Sequence, residues 1–242
     1  VPSQFDPRME LIYINGFASD YEGLKNVFAQ NGWMFNQMDA FNARLGVKLL
    51  GFFVEGMIGT GTTKPANEPL NPAVDKDVLV RVPGMDVYKL AAEAMGYNSV
   101  GIPYADVYQA IQTGVVNGVN GFPVAAAYTN LGDVLKYWYM TNYSVEVLNY
   151  MISGKTWAKI KPADQEIIQA ILAKATIDSI NNAKALDDHY MDLMEKKGIK
   201  VFKYTKEELV PIMQASASTW PKLEENMTKE LMDEFRKELA PK

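Results

Sequence analysis

Few residues in this chain have the type and setting for chemistry, and Arg81 leads them. It stands between Val80 and Val82, in an apolar run followed by Pro83-Gly84. Such a run reads as a strand, and strands of α/β domains are commonly buried on both faces. A guanidinium keeps its proton in a protein, so burial requires an anion beside it. No acid stands in the same strand. The planar fork fits a carboxylate through two parallel hydrogen bonds. Two partners satisfy the physics: a distant Asp or Glu of the same chain, or an anionic ligand.

The other candidates are weaker. His189, the single histidine, lies in DDHYMD within a long helical pattern, which reads as a solvated helix position. Asp187, Asp188 and Asp192 around it read as a charged helix face. The run GTGTT at 59–63 lacks the Lys-Ser/Thr ending of a phosphate loop and reads as loop. With no cysteine there is neither thiol catalysis nor a zinc-thiolate site. No catalytic set, metal motif or cofactor fingerprint is expected. Tyr104 follows Pro103 at the end of a short strand, where open α/β sheets bind ligands; it reads as packing or as the wall of a site. Asn117, Asn120, Gly121 and Phe122 follow the next strand-like piece. The two asparagines are either turn formers or amides lining a cleft.

The elements that position these residues can be read from periodicity. Ser19 and Glu22 have capping-box spacing, so a helix carrying Leu24, Val27 and Phe28 should follow. A second helix carries Met34, Met38, Phe41 and Leu45 and stops at Gly46. The run 47–54 reads as a buried strand. Glycine, threonine and proline dominate 56–77, which reads as loop and crossover with a short strand at 58–63. Strand 78–82, a helix ended by Gly96, strand 100–102, a helix over 105–113 and a strand-like 115–116 imply a parallel layer. An aromatic-rich stretch leads to a strand at 145–152. From Ala163 to Lys197 one helix pattern runs unbroken; at about 50 Å it is long enough to brace two domains. A strand at 199–204 and helices over 206–219 and 222–239, broken by Pro221, complete the chain.

The totals bound the function. A chain of 242 residues makes one large or two medium domains. A net charge of −5 without a basic cluster argues against nucleic acid or an anionic membrane surface as partner. No apolar run approaches the roughly 20 residues of a membrane span. The first ten residues have neither the basic start nor the apolar core of a signal peptide.

The run LVRVPG, a helix, then GIPYADVYQAIQTGVVNG resembles the signature of the substrate-binding proteins of tripartite ATP-independent periplasmic (TRAP) transporters, with looser likeness in YMISGKTWAKIKPADQE. The resemblance implies an α/β, two-lobed architecture like that of periplasmic binding proteins, with a long helix spanning both lobes. Lobe I would comprise 1–58 and 147–186, incomplete because the family's opening strand–helix–strand–helix segment has no counterpart in this sequence; lobe II would comprise 59–146 and 187–242. It implies Arg81 as seat of a ligand carboxylate, Tyr104 as a wall, and Asn117, Asn120, Gly121 and Phe122 beside them. It further implies a monomer in the periplasm that hands a small organic acid to TRAP membrane permease subunits and performs no bond-making chemistry. A ligand-sensing extracellular domain and an α/β enzyme are the alternatives. The family's second arginine is missing, since none occurs between Arg44 and Arg81. That absence points to a ligand with one strong anionic group. Family Asp is Asn117 here, family Glu-Asn is Asn120-Gly121, and the usual helix-capping Ser is Ala105.

Overall fold

The computed structural model describes residues 2–239. Residue 1 and residues 240–242, the outer ends of the two expected lobes, lie outside the described residues. The fold is organised by strand β1, Val47–Thr62, and by six shorter strands: β2 Leu79–Val82, β3 Asn98–Gly101, β4 Gly118–Pro123, β5 Tyr137–Met140, β6 Val145–Ser153 and β7 Lys200–Lys203. Ten α-helices surround them among the described residues: α1 Tyr21–Val27, α2 Trp33–Arg44, α3 Asp86–Ala94, α4 Val107–Gln112, α5 Val124–Leu131, α6 Gly154–Trp157, α7 Pro162–Lys196, α8 Lys206–Ala217, α9 Trp220–Met227 and α10 Lys229–Leu239.

β1 changes partners along its length. From Val47 to Met57 it pairs antiparallel with β6. From Ile58 onward it pairs with β4 on one side and, from Thr60, with β5 on the other, both antiparallel. β2 lies parallel between β3 and β4, and β7 parallel to β5. The layer is therefore mixed rather than purely parallel. β1 also runs through 55–62, where a loop with a short strand is expected. The glycines that mimic a loop have a tertiary reason. A Cβ on Gly56 would lie 2.6 Å from Asp187 Oδ1, and one on Gly59 2.5 Å from Trp138 Cζ2. These positions let α7 and a fully buried indole close on the strand, so packing outweighs the local preference.

The 35-residue helix α7 lies along the first half of β1. Its side chains accept backbone hydrogen bonds that a further strand would otherwise take: Phe52 N donates to Thr176 Oγ1 at 3.0 Å, Val54 N to Ser179 Oγ at 3.0 Å and Met57 N to Asp187 Oδ2 at 3.1 Å. Tyr21 Oη also donates to Asp187. Small polar residues in a helix interior, neutral at best for propensity, thereby complete the hydrogen bonding of buried strand amides.

Four other details differ from the sequence reading. Asp20, not Ser19, caps α1, its side chain accepting from Gly23 N. Val115 and Val116 form a bend and the strand starts at Gly118, which puts Asn120, Gly121 and Phe122 in β4 rather than in a loop. Tyr137–Met140 is a strand of its own, β5. The C-terminal helical region breaks at Thr228 as well as before Pro221, because Thr228 adopts φ +64°.

Candidate functional site

Arg81 sits mid-strand in β2 and is 4% exposed. Its Nε donates to Ile102 O at 2.8 Å, which fixes the plane of the guanidinium. Its Cζ lies 5.5 Å from the centre of the Phe122 ring. No carboxylate lies within 4.0 Å of it among the described residues, and its two terminal nitrogens have no protein acceptor there. Burial lowers its pKa to about 10, so the charge persists at neutral pH. Arg81 lines a cleft of about 390 Å³ together with Tyr13, Glu55, Tyr88, Tyr104 and Phe122, among others. A wider recess of 690 Å³ lies between α1 and α8, but its one cation, Lys206, is already paired with Asp20.

Local structure explains how the walls are aimed. Gly59 pairs with Phe122 and Thr60 with Asn120, so Gly121 is the extra residue of a β-bulge in β4. Its φ is +87°, and a Cβ there would lie 2.8 Å from Pro83 Cδ. Glycine is the residue for such a bulge. The bulge sets Phe122 against Tyr104, whose ring stacks on it at 5.3 Å with an 11° interplanar angle. Tyr104 Oη accepts from Asn130 Nδ2 at 3.0 Å, tying this exposed wall to α5.

The expected residues divide into two sets. Arg81, Tyr104, Gly121 and Phe122 meet in the cleft. Asn117 and Asn120 are engaged elsewhere. Asn117 joins strand ends: its N donates to Leu79 O at 2.8 Å, and its O accepts from Thr63 N at 2.8 Å. Asn120 is fully buried, donating from Nδ2 to Thr60 Oγ1 at 3.0 Å and accepting from Tyr143 Oη.

Among the lining residues that escape the sequence reading, four carry titratable side chains: Tyr13, Glu55, Tyr88 and Glu146. Val54 pairs with Val147 and Gly56 with Glu146, so Glu55 is itself the extra residue of a bulge in β1. That puts Glu55 beside Glu146 across the two strands. Burial, followed by the charge of Glu55, raises the Glu146 carboxyl to about 8; burial also raises Glu55. Glu146 accepts from Tyr88 Oη at 3.3 Å. It feels the field of Arg81, yet the two form no ion pair. The signal was present in the sequence: Glu55 interrupts FFVEGMI and Glu146 interrupts VEVL, each a charge inside an apolar run, as Arg81 is.

The arrangement holds one fixed cation, aromatic walls and two acids, with no nucleophile–base pair among the described residues. Such a lining can hold a small polar molecule. Residues 3–226 match the family model of the bacterial extracellular solute-binding proteins, family 7, DctP. The sialic acid-binding periplasmic protein SiaP of Vibrio cholerae is 25% identical over 225 residues, 91% of this chain and 67% of that protein. A TRAP periplasmic solute-binding protein from Ochrobactrum anthropi, with its C-terminus bound in the ligand-binding pocket, superposes with a TM-score of 0.82 at 21% identity, covering 98% of this chain and 73% of that one. The periplasmic ectoine-binding protein of the TeaABC TRAP transporter of Halomonas elongata gives 0.81 at 19% identity, covering 97% and 77%. On the match over nearly its whole length, the chain belongs to the bacterial extracellular solute-binding proteins of family 7, the DctP-type periplasmic solute-binding proteins of TRAP transporters.

Proposed function

We propose that this protein captures a small organic acid in the cleft headed by Arg81 and delivers it to TRAP membrane permease subunits. The observation that carries the reading is the state of Arg81: buried, fixed through Nε, part of the cleft lining, and without a protein acceptor on either terminal nitrogen among the described residues. A desolvated guanidinium with unused donors destabilises the empty protein and is offset when a carboxylate arrives. Tyr104 and Phe122 wall the anion, and the bulge at Gly121 leaves room for it. Asn117 and Asn120 support the site by holding the strands that carry it.

The pairing of β1 supports a division into lobes of 1–58 with 147–186 and 59–146 with 187–242. Ligand contacts from both lobes would favour a closed form through differential affinity. That sialic acid and ectoine are named for two relatives shows how far the cargo varies within one scaffold. Calorimetric titration of small carboxylic acids into the natural full-length protein and its Arg81→Ala variant tests the reading. Affinity should drop by about 100-fold or more, as for loss of a buried charged hydrogen-bond partner. Equal affinity in the two proteins would remove Arg81 as the anchor.

A further inference from the structure

We propose that the solute is a zwitterion, its carboxylate on Arg81 and an ammonium or quaternary ammonium group on Glu55 and Glu146. This rests on the reading of Arg81 as the anion's seat and adds the class of the ligand's other end.

The two acids are placed, not incidental. A bulge at Glu55 turns that side chain to the face that carries Glu146, and both line the cleft that Arg81 heads. Neither takes part in an ion pair among the described residues. The one hydrogen bond given to Glu146 is the long one from Tyr88 Oη, at 3.3 Å. Burial opposes ionisation of both acids, and for Glu146 the charge of Glu55 adds to it, so both carboxyls are raised.

The charge balance then discriminates between ligands. A simple carboxylate would neutralise Arg81 and leave the two acids with no counter-charge to favour their ionisation. A dicarboxylate would add a second negative charge beside them. A molecule with a positive end beyond its carboxylate satisfies both sides at once. The cationic end would also meet the rings of Tyr13 and Tyr88, which line the same cleft; aromatic faces attract ammonium groups, quaternary ones included.

The test is a calorimetric series on the natural full-length protein. Butanoate, pentanoate and hexanoate are each compared with their α- and ω-ammonium and trimethylammonium derivatives and with the dicarboxylate of equal length. In at least one series the zwitterion should bind about tenfold or more tightly than the plain acid and the dicarboxylate, as for a hydrogen-bonded charge. Glu146→Gln should erase that advantage, with Glu55→Gln as a second variant and thermal melting as the check on folding; Arg81→Ala should abolish binding of all members. If plain acids or dicarboxylates bind as tightly as the zwitterions and still depend on Arg81, the zwitterion assignment falls and the carboxylate reading stands. The zwitterion assignment also falls if both glutamine variants keep the advantage. If no member binds, or binding ignores Arg81, the carboxylate reading itself falls.

Discussion

Two cations of this protein are removed from water, and their surroundings differ. Lys76 is fully buried, yet its ammonium donates to three backbone carbonyls: Glu68 O at 3.0 Å, Val74 O at 2.8 Å and Asn71 O. Three donors meet three acceptors, and the loop 63–78 closes around them. Arg81 has five donors and uses one on the protein. Burial lowers the pKa of both groups. The completed shell marks a structural charge; the open one is the feature on which the proposed binding role of Arg81 rests. Burial alone does not separate them; the count of unused donors does.

Substitutions can break this distinction. Lys76→Met should cost about 3 kcal/mol of stability, since it leaves three part-buried carbonyls of the loop without their shared donor. Urea denaturation would show the loss, while ligand affinity per folded molecule stays the same. Arg81→Ala should do the reverse. Ligand affinity drops about 100-fold, and stability in the absence of ligand holds or rises because an unpaired buried charge is gone. A large stability loss in Arg81→Ala would place Arg81 with Lys76 among the structural charges. Gly121→Ala should cost more than about 1 kcal/mol, because a Cβ at positive φ is strained and meets Pro83. It should weaken binding too, as the bulge carries Phe122.

A smaller effect tests the buried acids through pH. Burial raises Asp187 to about 7 and Glu146 to about 8, both above the unfolded value near 4. Between about pH 4 and pH 8 the native state therefore holds more protons than the unfolded one, and stability falls as pH rises through that window. Asp6 and Asp20, whose pKa values are lowered by Arg8 and Lys206 respectively, act in the opposite sense, losing their contribution only below about pH 4. Asp187→Asn should flatten the slope between about pH 5 and pH 8, seen as urea midpoints that converge at the two pH values. An unchanged slope would mean that Asp187 titrates normally.

Much of this was legible from residue order. The strand holding Arg81, the helix after it and the long helix α7 each lie within a residue or two of their expected bounds, because their apolar spacing and end signals agree. Arg81 itself announced a charge problem. The second half of β1 was hidden because its glycines serve contacts with Asp187 and Trp138, residues far away in sequence. The start of β4 is hidden because Val115 and Val116 look like a strand, whereas Gly118 and Gly121 do not. Glu55 and Glu146 are hidden for a related reason. Their meeting depends on the pairing of β1 with β6 and on one bulge, neither of which periodicity reveals.

β1 has a mechanical consequence as well. Its 16 residues extend over about 53 Å, nearly the length of the 35-residue helix beside it. The two are riveted together at Phe52, Val54 and Met57, and there the rivets stop. The change of strand partners falls at the same place, between Met57 and Ile58. A beam fastened along one half flexes beyond its last fastening. In the proposed closure, rotation of the Arg81 side against the β6 side would have its compliance just past Met57, close along the strand to Glu55, so the stroke would be set next to the acids proposed to meet the cargo.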